Sequence, residues 1–244
     1  MRTALITGAS RGIGRGIALE LARQGYGLTV TSRSAEDLDA LSATLSDAGA
    51  EKVIHHAADM ADRDGAAAVA DLHRDTFGTM DALILNAGVG TAAPLETTPA
   101  YRVDKSLHVN FTSPFLMVQH ALPMLRTAAA ANPRRGTRVI ALASITGVYP
   151  EAGLAVYGAS KAALISLVEA LNAEESGRGV MATAIAPAFV DTDMAAWATG
   201  TVPADTMITV ADTVAVVRML LGLGPTTSIT KIVMSRSGTA GFAA

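Results

Sequence analysis

The chain has 244 residues, of which 50% are hydrophobic and 17% charged, and its formal net charge is −3. This composition is typical of a globular protein with a sizeable core, and it excludes a disordered chain. The slightly negative net charge gives no sign of a basic face, so we expect no nucleic-acid partner. The absence of cysteine excludes disulfides, a thiolate nucleophile and a cysteine zinc site.

The first residues of the chain form a short apolar run and lack the long hydrophobic region of a signal peptide. No run approaches the ~18–20 apolar residues that a helix needs to span a bilayer. We therefore expect no membrane partner and a cytoplasmic location.

Short β-branched runs alternate with longer amphipathic stretches, which predicts βα units and a parallel sheet. The predicted strands lie near Thr3–Thr7, Leu28–Ser32, Val53–His56, Ala82–Asn86, Arg138–Ser144, Met181–Ala186 and Ile229–Met234. The predicted helices begin near Gly12, Ala35, Asp62, Tyr101, Ala155 and Val210. No linker or repeat divides the chain, so we expect one doubly wound α/β domain over residues 1–244. Its sheet is expected to be mostly seven-stranded and parallel, with helices on both faces.

A glycine-rich loop, Thr7-Gly8-Ala9-Ser10-Arg11-Gly12-Ile13-Gly14, lies directly between the first strand and the first helix. Glycines there permit a tight turn, a close approach of backbone to a pyrophosphate, and close packing of helix on strand. The helix N-terminus that follows favours an anion. The loop predicts dinucleotide binding, although three glycines in such a turn can also serve backbone geometry alone.

The end of the second strand indicates which dinucleotide is bound. NAD enzymes commonly carry Asp or Glu there, whereas this strand ends with Ser32, Arg33 and Ser34. Arg11 and Arg33 are suited to a 2′-phosphate because a guanidinium binds phosphate oxygens in a bidentate manner. We therefore predict NADP(H); the alternative is that both arginines are solvated surface residues.

Four further features appear in order along the chain: Asn86-Ala87-Gly88, Asn110 on a predicted helix, Ser144, and Tyr157-x-x-x-Lys161. Together with the glycine-rich loop they resemble the motifs of the short-chain dehydrogenase/reductase family over nearly the whole chain. The resemblance implies a Rossmann-like fold. It also implies an oxidoreductase that moves a hydride between NADP(H) and a carbonyl/alcohol pair.

Tyr157 and Lys161 are four residues apart, so they share one face of a helix, and a nearby ammonium favours the phenolate form of tyrosine. Taken by itself, a tyrosine and a lysine at this spacing could also be two residues on a helix surface. The family resemblance implies that Tyr157 is the general acid/base and that Lys161 also holds the nicotinamide ribose. It further implies that Ser144 binds the substrate oxygen and that Asn110 joins a proton relay to solvent.

The same resemblance implies further cofactor contacts. Asp59 resembles the acid that binds the adenine amino group, with a helix or turn cap as the alternative. Thr192 resembles the residue that binds the nicotinamide carboxamide, and Ala188 departs from the usual glycine of this motif. The predicted cofactor contacts are Gly8, Ser10, Arg11, Gly12, Ile13, Gly14, Arg33, Asp59, Asn86, Ala87, Gly88, Tyr157, Lys161, Pro187, Val190 and Thr192.

The segment within about 190–210 resembles the substrate lid of this family, and its shortness indicates an open, tolerant site. The residues expected to line the substrate are almost all apolar, which predicts a small apolar ketone, aldehyde or alcohol. They are Ile145, Leu154, Phe189, Met194 and Trp197, with Val89, Leu95 and Thr146 beside them. Plain packing is the alternative role for Trp197.

Other functions remain open at this point. A 3-oxoacyl carrier-protein reductase usually carries Val-Asp-Gly-Gly near its C-terminus, where this chain has Met234-Ser235-Arg236-Ser237-Gly238. A catalytically silent cofactor-binding regulator would lose the Tyr, the Lys or the Ser, and all three are present here. An enzyme of halide or water elimination would keep Ser and Tyr but block the glycine loop with bulky side chains, whereas this loop is open. A purely structural interaction protein would explain none of the polar residues.

Two further expectations concern metals and subunits. His55 and His56 are adjacent on a predicted strand and point to opposite faces, so we expect no metal site. The family resemblance implies a homodimer or homotetramer, built on the helices that begin near Tyr101 and Ala155.

Overall fold

The computed structural model describes residues 1–90 and 92–239. Residues 91 and 240–244, which the predicted single domain includes, lie outside this description. The strands are β1 Thr3–Thr7, β2 Gly27–Ser32, β3 Lys52–Ala57, β4 Ala82–Leu85, β5 Thr137–Leu142, β6 Val180–Pro187 and β7 Lys231–Met234. The helices are α1 Gly12–Arg23, α2 Ala35–Asp47, α3 Gly65–Phe77, α4 Ala100–Leu107, α5 Ser113–Ala131, α6 Ala155–Glu175 and α7 Val210–Gly222.

The strands form one parallel seven-stranded sheet in the order β3-β2-β1-β4-β5-β6-β7. The direction of winding reverses between β1 and β4, which are neighbours in the sheet. In doubly wound folds, ligands bind at the carboxyl ends of the strands beside such a reversal. The predicted fold class is confirmed, and the reversal brings the loop after Thr7 next to the loop after Leu85.

The core lies on both faces of the sheet. One hydrophobic cluster joins the sheet to α3, α5 and α6 through residues such as Val69, Met117 and Leu164. The other joins it to α1, α2 and α7, for example through Ile17 and Leu220. Every residue of β1, β4, β5 and β6 is buried, as expected for strands covered on both faces.

Several boundaries differ from the prediction for local reasons. The strand predicted to reach Ser144 ends at Leu142, because Ser144 caps a 3-10 turn over Ile145–Gly147. The third helix begins at Gly65 rather than near Asp62, because hydrogen-bonded turns occupy the intervening residues.

The helix expected near Tyr101 begins at Ala100 and is interrupted by a π-helical turn over His108–Thr112 before α5. Sequence spacing shows no sign of this turn, which contains Asn110. None of the described helices is both long and apolar enough to cross a membrane.

Candidate active site

A cavity of 680 Å³ lies at the carboxyl ends of the strands. The loops that follow the first six strands surround it, together with residues of α4 and α6. Most residues that the sequence singles out meet in its wall. They are Gly8, Ser10, Arg11, Gly12, Ile13, Arg33, Asp59, Asn86, Ala87, Gly88, Val89, Ser144, Thr146, Leu154, Tyr157, Lys161, Pro187, Phe189, Val190, Thr192, Met194 and Trp197.

Four predicted residues lie elsewhere. Ile145 was expected to contact substrate, but it is buried in the 3-10 turn behind the cavity wall. Leu95 is exposed to solvent and does not line the cavity. Gly14 lies behind the loop, where an added Cβ would overlap Gly8 O, so its role is close packing rather than contact with the cavity. Asn110 is completely buried and also lies behind the wall.

The glycine-rich loop leaves room for a phosphate group. Gly8 and Gly12 have φ of 65° and 54°, in the left-handed region that favours glycine. A Cβ at Gly8 would lie 2.9 Å from Ala87 Cα, so the loop could not pass so close to β4 with a side chain there. The N-terminus of α1 has no side-chain cap and no acidic residue in its first turn. The first backbone N–H groups of α1 therefore have no side-chain partner, and together with the helix dipole they fit a pyrophosphate.

Asn86 ties the loop after β4 to the loop after β1. Its Nδ2 donates to Thr7 O at 3.0 Å and to Gly8 O at 2.8 Å. Thr7 Oγ1 in turn accepts hydrogen bonds from the backbone N–H of Asn86 and of Ala87, each at 3.0 Å. The two loops at the sheet reversal are therefore held in one arrangement.

The two arginines predicted to bind a 2′-phosphate differ in their surroundings. Arg33 lines the cavity between Ser32 and Ser34, and no ion pair involves it among the described residues. Arg11 Nη1 lies 3.2 Å from Asp193 Oδ2, and both side chains are exposed. Asp193 follows Thr192 directly, yet the sequence did not indicate that it would face the phosphate loop.

Asp59 serves a local turn as well as the cavity wall. Its Oδ1 accepts a hydrogen bond from Ala61 N at 2.9 Å, which is the turn-cap role that the sequence left open. That hydrogen bond uses only Oδ1, and Asp59 also lines the cavity. The two interpretations are compatible.

Lys161 is buried beside Tyr157 on α6. Its Nζ lies 5.7 Å from the centre of the Tyr157 ring and donates to Leu142 O at 2.7 Å. Burial lowers the pKa of Lys161 to about 8, because desolvation disfavours the ammonium. Lys161 is therefore still protonated at neutral pH, but it titrates closer to neutrality than an ordinary lysine.

The phenol of Tyr157 does not have the lowered pKa that an adjacent ammonium alone would produce. Burial raises the pKa of Tyr157, and a hydrogen bond from Ser144 opposes part of that rise. Desolvation is therefore the largest influence on the pKa of this phenol. The phenol stays protonated at neutral pH, which is the form that donates a proton.

Asn110 connects the loop after β4 to α6. Its Nδ2 donates to Val89 O at 3.0 Å and to Ser160 Oγ at 2.9 Å, and its Oδ1 accepts from Val89 N at 2.9 Å. A Cβ at Gly88 would lie 3.3 Å from both Asn110 Oδ1 and Lys161 Nζ, so both atoms lie close to this glycine. Both amide protons are used in these hydrogen bonds, and the predicted proton relay through Asn110 stays a prediction.

The segment predicted to be a lid forms its own small cluster. Phe189 and Trp197 make an edge-to-face contact with ring centres 5.7 Å apart, while Trp197 keeps 61% of its surface exposed. Val190 pairs with Ile208, which joins the two ends of the segment. Phe189, Met194 and Trp197 thus present apolar surface to the cavity mouth.

Some lining residues were not predicted. Lys105 and Val109 are four apart on the helical stretch that starts at Ala100, a spacing that could have placed them on one face. Met60, Leu142 and Ala143 also line the cavity, and no sequence signal distinguishes them from core residues. Among the described residues, no three histidine or carboxylate side chains gather as metal ligands.

Comparison with known proteins places the whole arrangement in a family. The model of the short chain dehydrogenase family matches residues 2–201. A 3-oxoacyl-[acyl-carrier-protein] reductase of Staphylococcus aureus is 34% identical over 195 residues, covering 79% of this chain and 76% of the relative. D-beta-hydroxybutyrate dehydrogenase of Cupriavidus necator is 34% identical over 197 residues, covering 79% and 72%.

Solved structures agree over the full length. A short chain dehydrogenase from Burkholderia cenocepacia in complex with NADP is 30% identical, with a TM-score of 0.84 over 98% of this chain and 97% of that one. An alcohol dehydrogenase from Thermococcus sibiricus, complexed with 5-hydroxy-NADP, is 25% identical, with a TM-score of 0.86 and the same coverage. The chain belongs to the short chain dehydrogenase family and is an oxidoreductase of that family.

Proposed function

We propose that the protein is an NADP(H)-dependent oxidoreductase that interconverts a ketone or aldehyde and the corresponding alcohol, with Tyr157 as the general acid/base. One observation carries the proposal. Ser144, Tyr157 and Lys161 line the same 680 Å³ cavity as the glycine-rich loop. A site for a dinucleotide and a set of proton-transfer groups therefore share one cavity.

The residues present fit a phosphorylated dinucleotide. The loop from Gly8 to Gly14 and the uncapped start of α1 would hold the pyrophosphate. Arg11 and Arg33 would hold a 2′-phosphate, and no carboxylate ends β2 in the position that suits a free ribose hydroxyl. The complexes of the Burkholderia and Thermococcus proteins with NADP and 5-hydroxy-NADP support the same choice.

The bound nicotinamide would supply or accept the hydride at the substrate carbon. During reduction, the protonated Tyr157 phenol donates its proton to the carbonyl oxygen, and during oxidation the phenolate takes it back. Ser144 donates a hydrogen bond to the same oxygen as charge develops on it. Lys161 stabilises the phenolate and, by resemblance to the family, holds the ribose.

The substrate we propose is small and apolar. Leu154, Phe189, Met194 and Trp197 line the cavity mouth with hydrocarbon surface. Reduction of a 3-oxoacyl carrier-protein thioester is the second candidate, because relatives with that activity are 34% identical to this chain. The sequence Met234–Gly238, where such enzymes usually carry Val-Asp-Gly-Gly, favours the first candidate. A homodimer or homotetramer and a cytoplasmic location remain part of the proposal.

The decisive experiment is titration of the purified protein with NADPH and NADH by fluorescence, followed by turnover at 340 nm. The carbonyl panel contains apolar ketones, aldehydes and an acetoacetyl thioester. We expect tight NADPH binding, weaker NADH binding and turnover of at least one apolar carbonyl. Failure to bind either cofactor would overturn the proposal, and turnover of the thioester alone would favour the second candidate.

A further inference from the structure

The hydroxyl of Thr146 is directed at the hydroxyl of Ser144. Thr146 Oγ1 donates to Ser144 Oγ at 2.9 Å, and the backbone N–H of Thr146 donates to the same oxygen at 3.3 Å. The two residues are 4% and 7% exposed, and both line the cavity. Thr146 was expected to form part of the substrate wall, but its polar atom is engaged with a neighbour.

These two hydrogen bonds determine where the proton of Ser144 can go. A serine hydroxyl has one proton and two lone pairs. The two donors on Thr146 fill both lone pairs of Ser144 Oγ, so its proton must be donated to another group. Ser144 also acts on the phenol of Tyr157: it lowers the pKa of that phenol against the rise caused by burial, as expected when Ser144 is the donor.

The turn that contains Thr146 is packed directly on the helix that carries Tyr157. A Cβ at Gly147 would lie 2.8 Å from Lys161 C, and a Cβ at Gly158 would lie 2.8 Å from Thr146 O. Real Cβ atoms essentially never come so close to backbone, so only glycine permits this packing. The position of Thr146 relative to Tyr157 is therefore set by backbone contacts on both elements.

We propose that Thr146 is a positioning residue whose hydroxyl holds Ser144 as a hydrogen-bond donor, toward Tyr157 in the free protein and toward the substrate oxygen when substrate is bound. The proposal rests on the proposed function, because the substrate oxygen is that of the carbonyl/alcohol pair. Without this hydroxyl, one lone pair of Ser144 becomes free and its O–H can rotate. A Ser144 hydroxyl that can rotate stabilises less well the charge that develops on the substrate oxygen in the transition state. The substitution should therefore lower kcat more than it changes KM.

The test compares Thr146→Val and Thr146→Ala with Thr146→Ser, which keeps the hydroxyl. Thr183→Val is the matched control, because Thr183 is 2% exposed, donates to Ile229 O at 2.6 Å and lies outside the cavity wall. For carbonyl reduction at saturating NADPH, Thr146→Val and Thr146→Ala should lower kcat about three- to tenfold with KM little changed. Thr146→Ser and Thr183→Val should keep the kcat of the unsubstituted protein.

A second measurement uses the protein without cofactor. The chain has four tyrosines, and labelling each ring at ¹³Cζ gives an NMR signal that reports hydrogen bonding at the phenol oxygen. Tyr157→Phe identifies the signal of Tyr157. We expect Thr146→Val and Thr146→Ala to move this signal, while Thr146→Ser and Thr183→Val leave it in place.

The two measurements separate this inference from the proposed function. Unchanged kcat together with an unmoved Tyr157 signal in both hydroxyl-free variants overturns the role of Thr146. If the unsubstituted protein turns over no carbonyl, the proposed function fails, and the NMR signal alone then decides. A shift in the hydroxyl-free variants supports the positioning of Ser144, and no shift overturns it.

Discussion

Arg11 Nη1 lies 3.2 Å from Asp193 Oδ2, and this ion pair connects the glycine-rich loop to the segment that follows β6. Arg11 is one of two arginines proposed to bind a 2′-phosphate, so Asp193 competes with the cofactor for the same guanidinium. The side chains are 67% and 72% exposed, and pairs of this kind contribute little to stability. We therefore expect the pair to affect cofactor affinity more than folding.

Asp193→Asn should bind NADPH more tightly than the unsubstituted protein, by up to about fivefold, because Arg11 no longer has a carboxylate partner. NADH affinity should change less, since NADH has no 2′-phosphate. The measurement is fluorescence titration with both cofactors at fixed ionic strength. Asp205→Asn, which removes an exposed charge from the same segment, is the control and should leave both affinities unchanged. Equal gains for NADPH and NADH would contradict the competition.

Arg33→Asp should reverse the cofactor preference. The substitution removes a charge-assisted contact with the 2′-phosphate and places a carboxylate where a ribose hydroxyl can bind it. We expect the ratio of NADPH to NADH affinity to fall at least about tenfold. Arg63→Asp, an equal charge change at an exposed position outside the cavity, is the control. An unchanged ratio would show that Arg33 is only a surface charge.

Tyr157→Phe should lower kcat for carbonyl reduction by roughly 10²–10⁴-fold, the usual scale for loss of a general acid/base. NADPH should still bind, because the glycine-rich loop and the arginines are untouched. Steady-state kinetics and cofactor titration on the same preparation check both statements. Tyr101→Phe, at an exposed tyrosine outside the cavity, is the control. Near-normal turnover by Tyr157→Phe would refute the proposed mechanism.

Lys161 should make stability depend on pH. Its folded pKa of about 8 is lower than the ordinary value of 10.5, so between these values the unfolded chain binds more protons than the folded one. Folding is therefore favoured as pH rises through this window, and the contribution is lost as pH falls through about 8.

Lys161→Met tests this dependence, because the variant lacks the titrating group. From pH 8.0 to 9.5 the free energy of unfolding of the unsubstituted protein should rise by about 1–2 kcal/mol relative to the variant. Urea unfolding at the two pH values measures the difference. Parallel changes in both proteins would mean that Lys161 titrates near its ordinary pKa.

Much of the fold was predictable because its signals are local. Apolar β-branched runs mark buried parallel strands, and the glycine loop between β1 and α1 marks a dinucleotide fold. The strand order was not determined by such patterns. Each strand is similarly apolar, and pairing depends on contacts between residues far apart in the chain, such as Leu5 with Leu83.

Most residues that line the candidate site were predicted from the sequence, but their interactions were not. The spacing from Ser144 to Tyr157 and from Tyr157 to Lys161 is a property of the chain. Desolvation of Tyr157 is not, because it depends on how several elements close around α6. The position of Ile145 was not predictable either, because an apolar side chain is equally consistent with a substrate wall and with the core that it joins.

The sequence by itself determined the parallel α/β class, the glycine-rich loop after β1 and the candidate residues for proton transfer, because each depends on residue type and spacing along the chain. Only the tertiary structure decided that Asp193 pairs with Arg11, that Thr146 donates to Ser144, and that burial raises the pKa of Tyr157. These are contacts and desolvation among elements that only folding brings together.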